Sequence, residues 1–138
     1  MRQSMFVLHV HPNRRGLTEI TDSVRGWAGK QGILQGMLTL FCRHTSASLL
    51  IQENAARAVR NDLEKFFDEL APEGEGYEHD DEGPDDMPAH LKTALTQVQL
   101  NVPVMDGRLM LGTWQGIYLF EHRARPSDRE IVLHLVGE

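Results

Sequence analysis

Two histidines bracket a carboxylate-rich turn in this chain: His79-Asp80-Asp81-Glu82-Gly83-Pro84-Asp85-Asp86-Met87-Pro88-Ala89-His90. A packed core has no use for such a segment. A cation site does, because carboxylate oxygen and neutral imidazole nitrogen are ordinary metal ligands. The sequence places His90 in the first turn of a helix, where the helix dipole disfavours imidazolium and leaves a neutral ring able to bind a metal or accept a proton. The alternative is a surface histidine at a helix start. His79 lies eleven residues earlier, a spacing that matches no short zinc signature such as His-Glu-x-x-His. Taken alone it reads as a solvated loop residue whose acidic neighbours favour its protonated form.

A second group follows an apolar run: Arg43-His44-Thr45-Ser46-Ala47-Ser48. One cation, one imidazole and three hydroxyls within six residues suit phosphate oxygens. They equally suit a Ser/Thr turn at a strand end. No Gly-x-Ser-x-Gly elbow supports a serine nucleophile. Gly112-Thr113-Trp114-Gln115-Gly116 offers close backbone approach and an indole that either stacks on a ring or fills the core. Asn54 is a candidate ligand-binding group and also a good N-cap. His9 and His11 share a strand face that reads as outward. His134 opposes the Leu133–Leu135 face. His122 stands among arginines of the kind usually solvated. Cys42 reads as a small buried apolar residue.

The elements that must position these groups follow from periodicity. Met5 to Val10 predicts a strand with Phe6, Leu8 and Val10 on one face. Thr18 to Thr21 is short and β-prone, and Thr21 or Asp22 is expected to cap a helix striped by Ile20, Val24, Trp27 and Ala28. Met37 to Arg43 and Leu49 to Gln52 are candidate strands. Ala55 to Leu70 is the clearest helix, ended by Pro72. A third helix is expected from Asp86 or Met87, with Pro88 in its first turn and Leu91, Leu95 and Val98 as its core stripe. Four strands follow: Leu100 to Val104, Arg108 to Leu111, Gln115 to Glu121 and Arg129 to Val136. Met105-Asp106-Gly107 reads as a hairpin turn. The last third predicts an antiparallel meander. Helices and strands do not alternate regularly, which argues for α+β, not a doubly wound parallel sheet.

The chain has 138 residues, the size of one domain, with 41% hydrophobic residues, enough for one core. No internal repeat or linker divides residues 1–138. The net charge of −6 is local, since Glu73 to Asp86 holds eight acids and no Lys or Arg. Outside it, 14 basic residues face 12 acidic ones. No basic stripe with interleaved aromatics points to nucleic acid. No apolar run is long enough to span a bilayer. One cysteine excludes an intrachain disulfide framework, and no signal-peptide pattern opens the chain, so a cytoplasmic protein is expected.

Several motifs in order resemble the YjbQ family: Gly36-Met37-Leu38-Thr39-Leu40-Phe41, His44-Thr45-Ser46-Ala47-Ser48-Leu49, Glu53-Asn54, Pro88-Ala89-His90-Leu91-Lys92, Leu100-Asn101-Val102-Pro103-Val104, Gly107-Arg108-Leu109, Leu111-Gly112-Thr113-Trp114-Gln115-Gly116-Ile117 and Arg129-Glu130-Ile131-Val132. The resemblance spans nearly the whole chain. It implies one compact α+β domain built on a large, mainly antiparallel or mixed sheet or sandwich, assembled as a cyclic homotrimer. It implies a divalent ion, zinc or magnesium, held by His44, His79 and His90, with Asp86 as a nearby carboxylate. The implied activity is thiamine-phosphate synthesis, in which a thiazole phosphate nitrogen displaces pyrophosphate from a pyrimidine-methyl diphosphate. His44, His90 and Asp86 are then the expected catalytic groups. Arg43, Thr45, Ser46, Ser48, Asn54, Lys92 and Arg108 would serve the phosphorylated substrate, with Trp114 and Gln115 beside its ring. Two other readings stand: a metal-dependent hydrolase of a phosphorylated small molecule, and a non-catalytic trimer that binds a metal or metabolite.

Overall fold

The computed structural model describes residues 1–74 and 76–138; Glu75, one acid of the 73–86 stretch, lies outside them. The elements run β1 (Arg2–Val10), β2 (Gly16–Glu19), α1 (Thr21–Gly29), β3 (Gln35–Cys42), β4 (Ala47–Glu53), α2 (Arg57–Leu70), α3 (Asp86–Leu95), β5 (Gln99–Met105), β6 (Arg108–Leu109), β7 (Gln115–Glu121) and β8 (Arg129–Gly137). Every strand pair is antiparallel. Five strands form one sheet in the order β1-β8-β3-β5-β6, and three form another in the order β2-β7-β4. The α+β expectation holds. No helix is long and apolar enough to cross a membrane, among the described residues.

Alternation in the strands builds the core. Leu38 and Leu40 of β3, Leu100, Val102 and Val104 of β5, and Ile131, Leu133 and Leu135 of β8 all point to one face and are buried. Leu49 of β4 and Ile117 and Leu119 of β7 meet them from the second sheet, with Val24 and Ala28 of α1 closing one side. β7 is buried on both faces, which explains its unbroken apolar run Ile117-Tyr118-Leu119-Phe120. Its outer face, Tyr118 and Phe120, packs with Leu17 under Leu63 and Phe67 of α2. Each such side chain contributes about 1.5–3 kcal/mol by leaving water.

Several local expectations change. The C-terminal third is no meander: β5 and β6 form a hairpin, but β7 crosses to the other sheet and β8 returns between β1 and β3. The hairpin turn at Asp106-Gly107 is as expected, with φ of 51° and 73°, the left-handed pair that favours these residues. No side chain caps α1 or α2; Thr21 is already helical, and Asn54 precedes the true N-cap, Ala56. Thr21 and Asn54 instead donate to the Glu19 carboxylate. The expected Leu91–Leu95–Val98 stripe is not the inner face of α3. Leu95 is exposed, while Asp86, Pro88, Ala89 and Lys92 are buried, because this helix packs partly through ion pairs.

Candidate functional site

The first turn of α3 sets the geometry. Asp86 and His90 are four residues apart and so share one helical face. His79 folds back from the preceding loop onto the same point. The Asp86 Oδ2 lies 2.7 Å from His79 Nε2 and 3.0 Å from His90 Nε2. The ligand atoms of these three residues all fall within 4.8 Å of one another. Asp86 is only 3% exposed, and its second oxygen, Oδ1, accepts from Arg123 Nη1 at 2.6 Å. A second group, His79, Asp81 and Glu82, lies outward of the first.

Arg123 holds the turn in shape. It stands just past β7 and donates to Asp85 at 2.9 Å, to Asp86, and to the Glu82 carbonyl at 3.0 Å. Asp85 also accepts from the Ala124 backbone N–H at 2.8 Å. The ion pair and hydrogen bonds act on both carboxyls. Burial pushes each up, but for Asp85 the Ala124 N–H and Arg123, and for Asp86 the His79 hydrogen bond and the charges of His90 and Arg123, prevail, and both carboxyls end below their ordinary range. The Asp86 hydrogen bond raises His79.

His90 carries the most informative contact. Its Nδ1 lies 2.9 Å from the Thr45 carbonyl oxygen, which only accepts. Nδ1 therefore carries the proton, and in the neutral ring the Nε2 lone pair faces the Asp86 carboxylate. Two lone pairs that face each other at 3.0 Å need a cation between or beside them, either a second ring proton or a metal ion.

The structure does not bring His44 into this group. The His44 Nε2 accepts the Glu130 backbone N–H at 2.8 Å, which occupies that nitrogen, and His44 is not among the three residues whose ligand atoms meet. Burial and the nearby Arg129 charge keep the His44 imidazole neutral by lowering its pKa. His44 and His90 do share the wall of one open cleft of about 730 Å³, together with Phe41, Arg43, Thr45, Thr93 and Thr96. The Thr93 hydroxyl in that wall is buried without a partner among the described residues.

The other expected residues divide by place. Arg43 is exposed and pairs with Glu130 at 2.9 Å. Thr45 is exposed and serves His90 through its carbonyl. Ser46 Oγ accepts from Arg129 at 3.0 Å, and Ser48 is fully buried between His122 and Thr96, so neither hydroxyl faces a ligand. Lys92 is buried against Asp68 at 2.5 Å. Arg108 is exposed on β6. Asn54, Trp114 and Gln115 sit at the opposite end of the β4–β7 ladder, where Glu53 pairs with Gln115. Six residues of strand separate that end from Ala47 and Glu121, about 20 Å at 3.3 Å per residue. Trp114 is neither core nor part of the histidine group; it is 64% exposed.

Arg123 and His122, which the sequence reads as a solvated group near a strand end, are instead partners of buried side chains. His122 is 1% exposed, Nε2 is 2.9 Å from Ser48 Oγ, and Nδ1 has no partner among the described residues. Burial, with the Lys92 and Arg129 charges behind it, lowers its pKa to about 3.

Comparison with known proteins covers nearly the whole chain. Residues 7–138 match the family described as UPF0047 protein YjbQ-like. A UPF0047 protein of Synechocystis is 46% identical over 138 residues, covering 99% of this chain and 94% of that one. A UPF0047 protein YjbQ of Salmonella typhimurium is 46% identical over 125 residues, covering 90% of this chain and 91% of its own length. Among solved structures, a protein of unknown function from Sulfolobus solfataricus superposes with a TM-score of 0.90 at 27% identity over 99% of both chains. A hypothetical protein from Aeropyrum pernix gives 0.85 at 30% identity over 100% of both.

Proposed function

We infer the function of this chain, which belongs to the YjbQ-like UPF0047 family, from the convergence of His79 Nε2, Asp86 Oδ2 and His90 Nε2: it holds a divalent metal ion and acts on a phosphorylated small molecule in the adjoining cleft. Two nitrogens and one oxygen favour a borderline ion such as zinc over magnesium, which prefers oxygen alone. Three protein ligands leave a position open, where a metal ion supplies Lewis acidity toward a phosphoryl oxygen. The observation that carries this reading is the Thr45 carbonyl contact, which turns the His90 Nε2 lone pair onto Asp86. Arg123 orients Asp86 through its outer oxygen, as the partners of metal-bound carboxylates do.

Arg43 lines the cleft and pairs with Glu130 at the exposed surface, a bond it can exchange for one to a phosphate. Lys92 and Arg129 are buried against Asp68 and Glu121. His44, held neutral with Nε2 occupied, lines the cleft as a proton-holding or hydrogen-bonding group. The reaction we favour joins a hydroxymethylpyrimidine diphosphate to a thiazole phosphate with release of pyrophosphate. Hydrolysis of a phosphate ester is the second reading, favoured by the open ligand position.

The outer face of the five-stranded sheet supports self-association, and a homotrimer is the assembly we favour. Strand register places Met5 beside His134 and Thr39, Val7 beside Val132 and Phe41, and Met37 beside Val136 and Pro103. Met5, Val7, Met37 and Phe41 are 64%, 37%, 42% and 44% exposed, an apolar patch of the kind that marks an interface. Phe41 also walls the cleft, so a second copy on this face would border the substrate.

The test uses purified protein loaded with zinc. Both thiamine precursors and then a panel of phosphate esters are supplied, with His90→Ala as control. Product above that control in the first assay supports the transferase, and in the second the hydrolase. Absence of both, with zinc binding no tighter than in His90→Ala, refutes the metal-enzyme reading.

A further inference from the structure

A separate cleft of about 300 Å³ opens between the start of α2 and the edge of β2. Arg14, Arg57 and Arg60 line it with Asn61, Glu19 and Tyr118. It lies on the outer face of the three-stranded sheet, near the end of β4 that carries Asn54 and away from the histidine group.

The charges there do not cancel. Arg14 makes a two-pronged pair with Glu64, at 2.8 and 3.0 Å. The Glu19 carboxylate accepts from Thr21 and Asn54. Among the described residues neither Arg57 nor Arg60 meets a carboxylate; Arg60 donates only to the Asn54 carbonyl at 3.2 Å and to the Tyr118 hydroxyl at 3.3 Å. Tyr118 is 1% exposed, and its hydroxyl accepts from Arg60 while donating a long 3.4 Å bond to the Glu53 carbonyl. A nearly buried phenol and two guanidinium groups without counter-ions therefore converge on a small polar hollow, in a chain whose net charge is −6.

We propose that this hollow binds the phosphate group of a small molecule, with Arg57 and Arg60 as charged donors, Tyr118 as neutral donor and Arg14 as the outer wall. Guanidinium forks match tetrahedral oxyanions, and charge-assisted bonds of this kind are about twice as strong as neutral ones. At about 300 Å³ the hollow is at the small end of ligand sites, with room for a phosphate and a small organic group. The proposal does not rest on the metal site, which lies at the other end of the β4–β7 ladder.

Calorimetric titration of the full chain with inorganic phosphate, then phenyl phosphate, at low ionic strength tests it. Saturable binding with one site per chain is expected. Arg57→Ala, which removes an exposed side chain without a polar partner among the described residues, is expected to weaken both ligands about tenfold, and Arg60→Lys by a similar factor. Lys65→Ala, which removes an exposed cation on the same helix outside the hollow, is expected to leave both affinities unchanged. No saturation at millimolar ligand, or affinity that survives Arg57→Ala and Arg60→Lys, overturns the proposal. The titration uses metal-free protein, so failure here is distinct from failure of the metal reading.

Discussion

Replacing Asp86 with Asn tests the site at the atom where its contacts meet. The carboxylate accepts from Arg123 at 2.6 Å and faces His79 at 2.7 Å and His90 at 3.0 Å. An amide keeps one acceptor and turns an N–H₂ toward one of these groups. A hydrogen bond to a charged group contributes about 1.5–3 kcal/mol. Arg123 retains Asp85 and the Glu82 carbonyl, and His79 retains Asp81 and Glu82. The net loss is therefore about 2–3 kcal/mol, below the sum of the three contacts. With about 2.1 cal/mol/K of unfolding entropy per residue, this lowers Tm by about 7–10 °C in metal-free protein. The sign with pH follows from the depressed carboxyl. Its stabilisation is present above the ordinary carboxyl pKa and is lost as pH falls toward the lowered one, so wild type and variant converge in acid. Added zinc raises Tm in the wild type and leaves the variant almost unmoved. Scanning calorimetry with and without zinc reads all three outcomes. Equal metal-free Tm values refute the packing argument, and an equal zinc-induced rise refutes the ligand assignment.

Two further predictions rest on groups outside that cluster. His122 is neutral in the fold because burial lowers its pKa from 6.5 to about 3, whereas the unfolded chain takes up the proton near 6.5. Its contribution is complete above pH about 6.5 and lost as pH falls, so His122→Gln, which keeps an acceptor for Ser48, should reduce the stability difference between pH 7 and pH 4 by about 3 kcal/mol in urea titrations. Identical acid sensitivity in both proteins refutes this. Gly36→Ala drives a Cβ into the Val136 carbonyl across the β3–β8 ladder, while Gly26→Ala on exposed α1 meets nothing within 4 Å. The first should cost about 3 kcal/mol and the second gain about 0.5–1 kcal/mol by denaturant midpoint, and the reverse order would sink the register argument.

The elements were legible because they depend on periodicity within a few residues. β7 and β8 match their expected ranges to within a residue at each end, and the hairpin at Asp106-Gly107 follows from the two residues that tolerate positive φ. The assignments that changed depend on partners distant in sequence. Thr21 and Asn54 look like caps until Glu19 takes both. Lys92 looks like a phosphate ligand until Asp68, 24 residues away, buries it. His44 reads as a partner of His79 and His90, but β8 brings the Glu130 N–H onto its Nε2 and Asp86 takes the third place in the cluster. The Asp86–His90 pair was readable because four residues on a helix fix a shared face. Arg123 was not, because 37 residues separate it from the carboxylate it holds.

The buried Glu121–Arg129 pair gives that long-range placement its cause. Both side chains are nearly inaccessible, at 0% and 4%. Buried ion pairs are weak stabilisers, since desolvation offsets most of their attraction. What this one fixes is direction. Glu121 accepts the backbone N–H groups of His122 and Arg123 at 3.0 and 3.1 Å, bending the chain as β7 ends. Arg129 donates to both Glu121 oxygens and to Ser46 Oγ, tying β8 and the turn before β4 to the same point. The bend aims Arg123 at Asp85 and Asp86, and the tied turn is the one that presents the Thr45 carbonyl to His90. One desolvated ion pair thus sets both the carboxylate that faces the two imidazoles and the tautomer of the imidazole that faces it. The histidine cluster is therefore a product of the sheet's end, with the acidic loop laid onto it, and a variant that loosened Glu121 would disturb the site before it touched any residue within it.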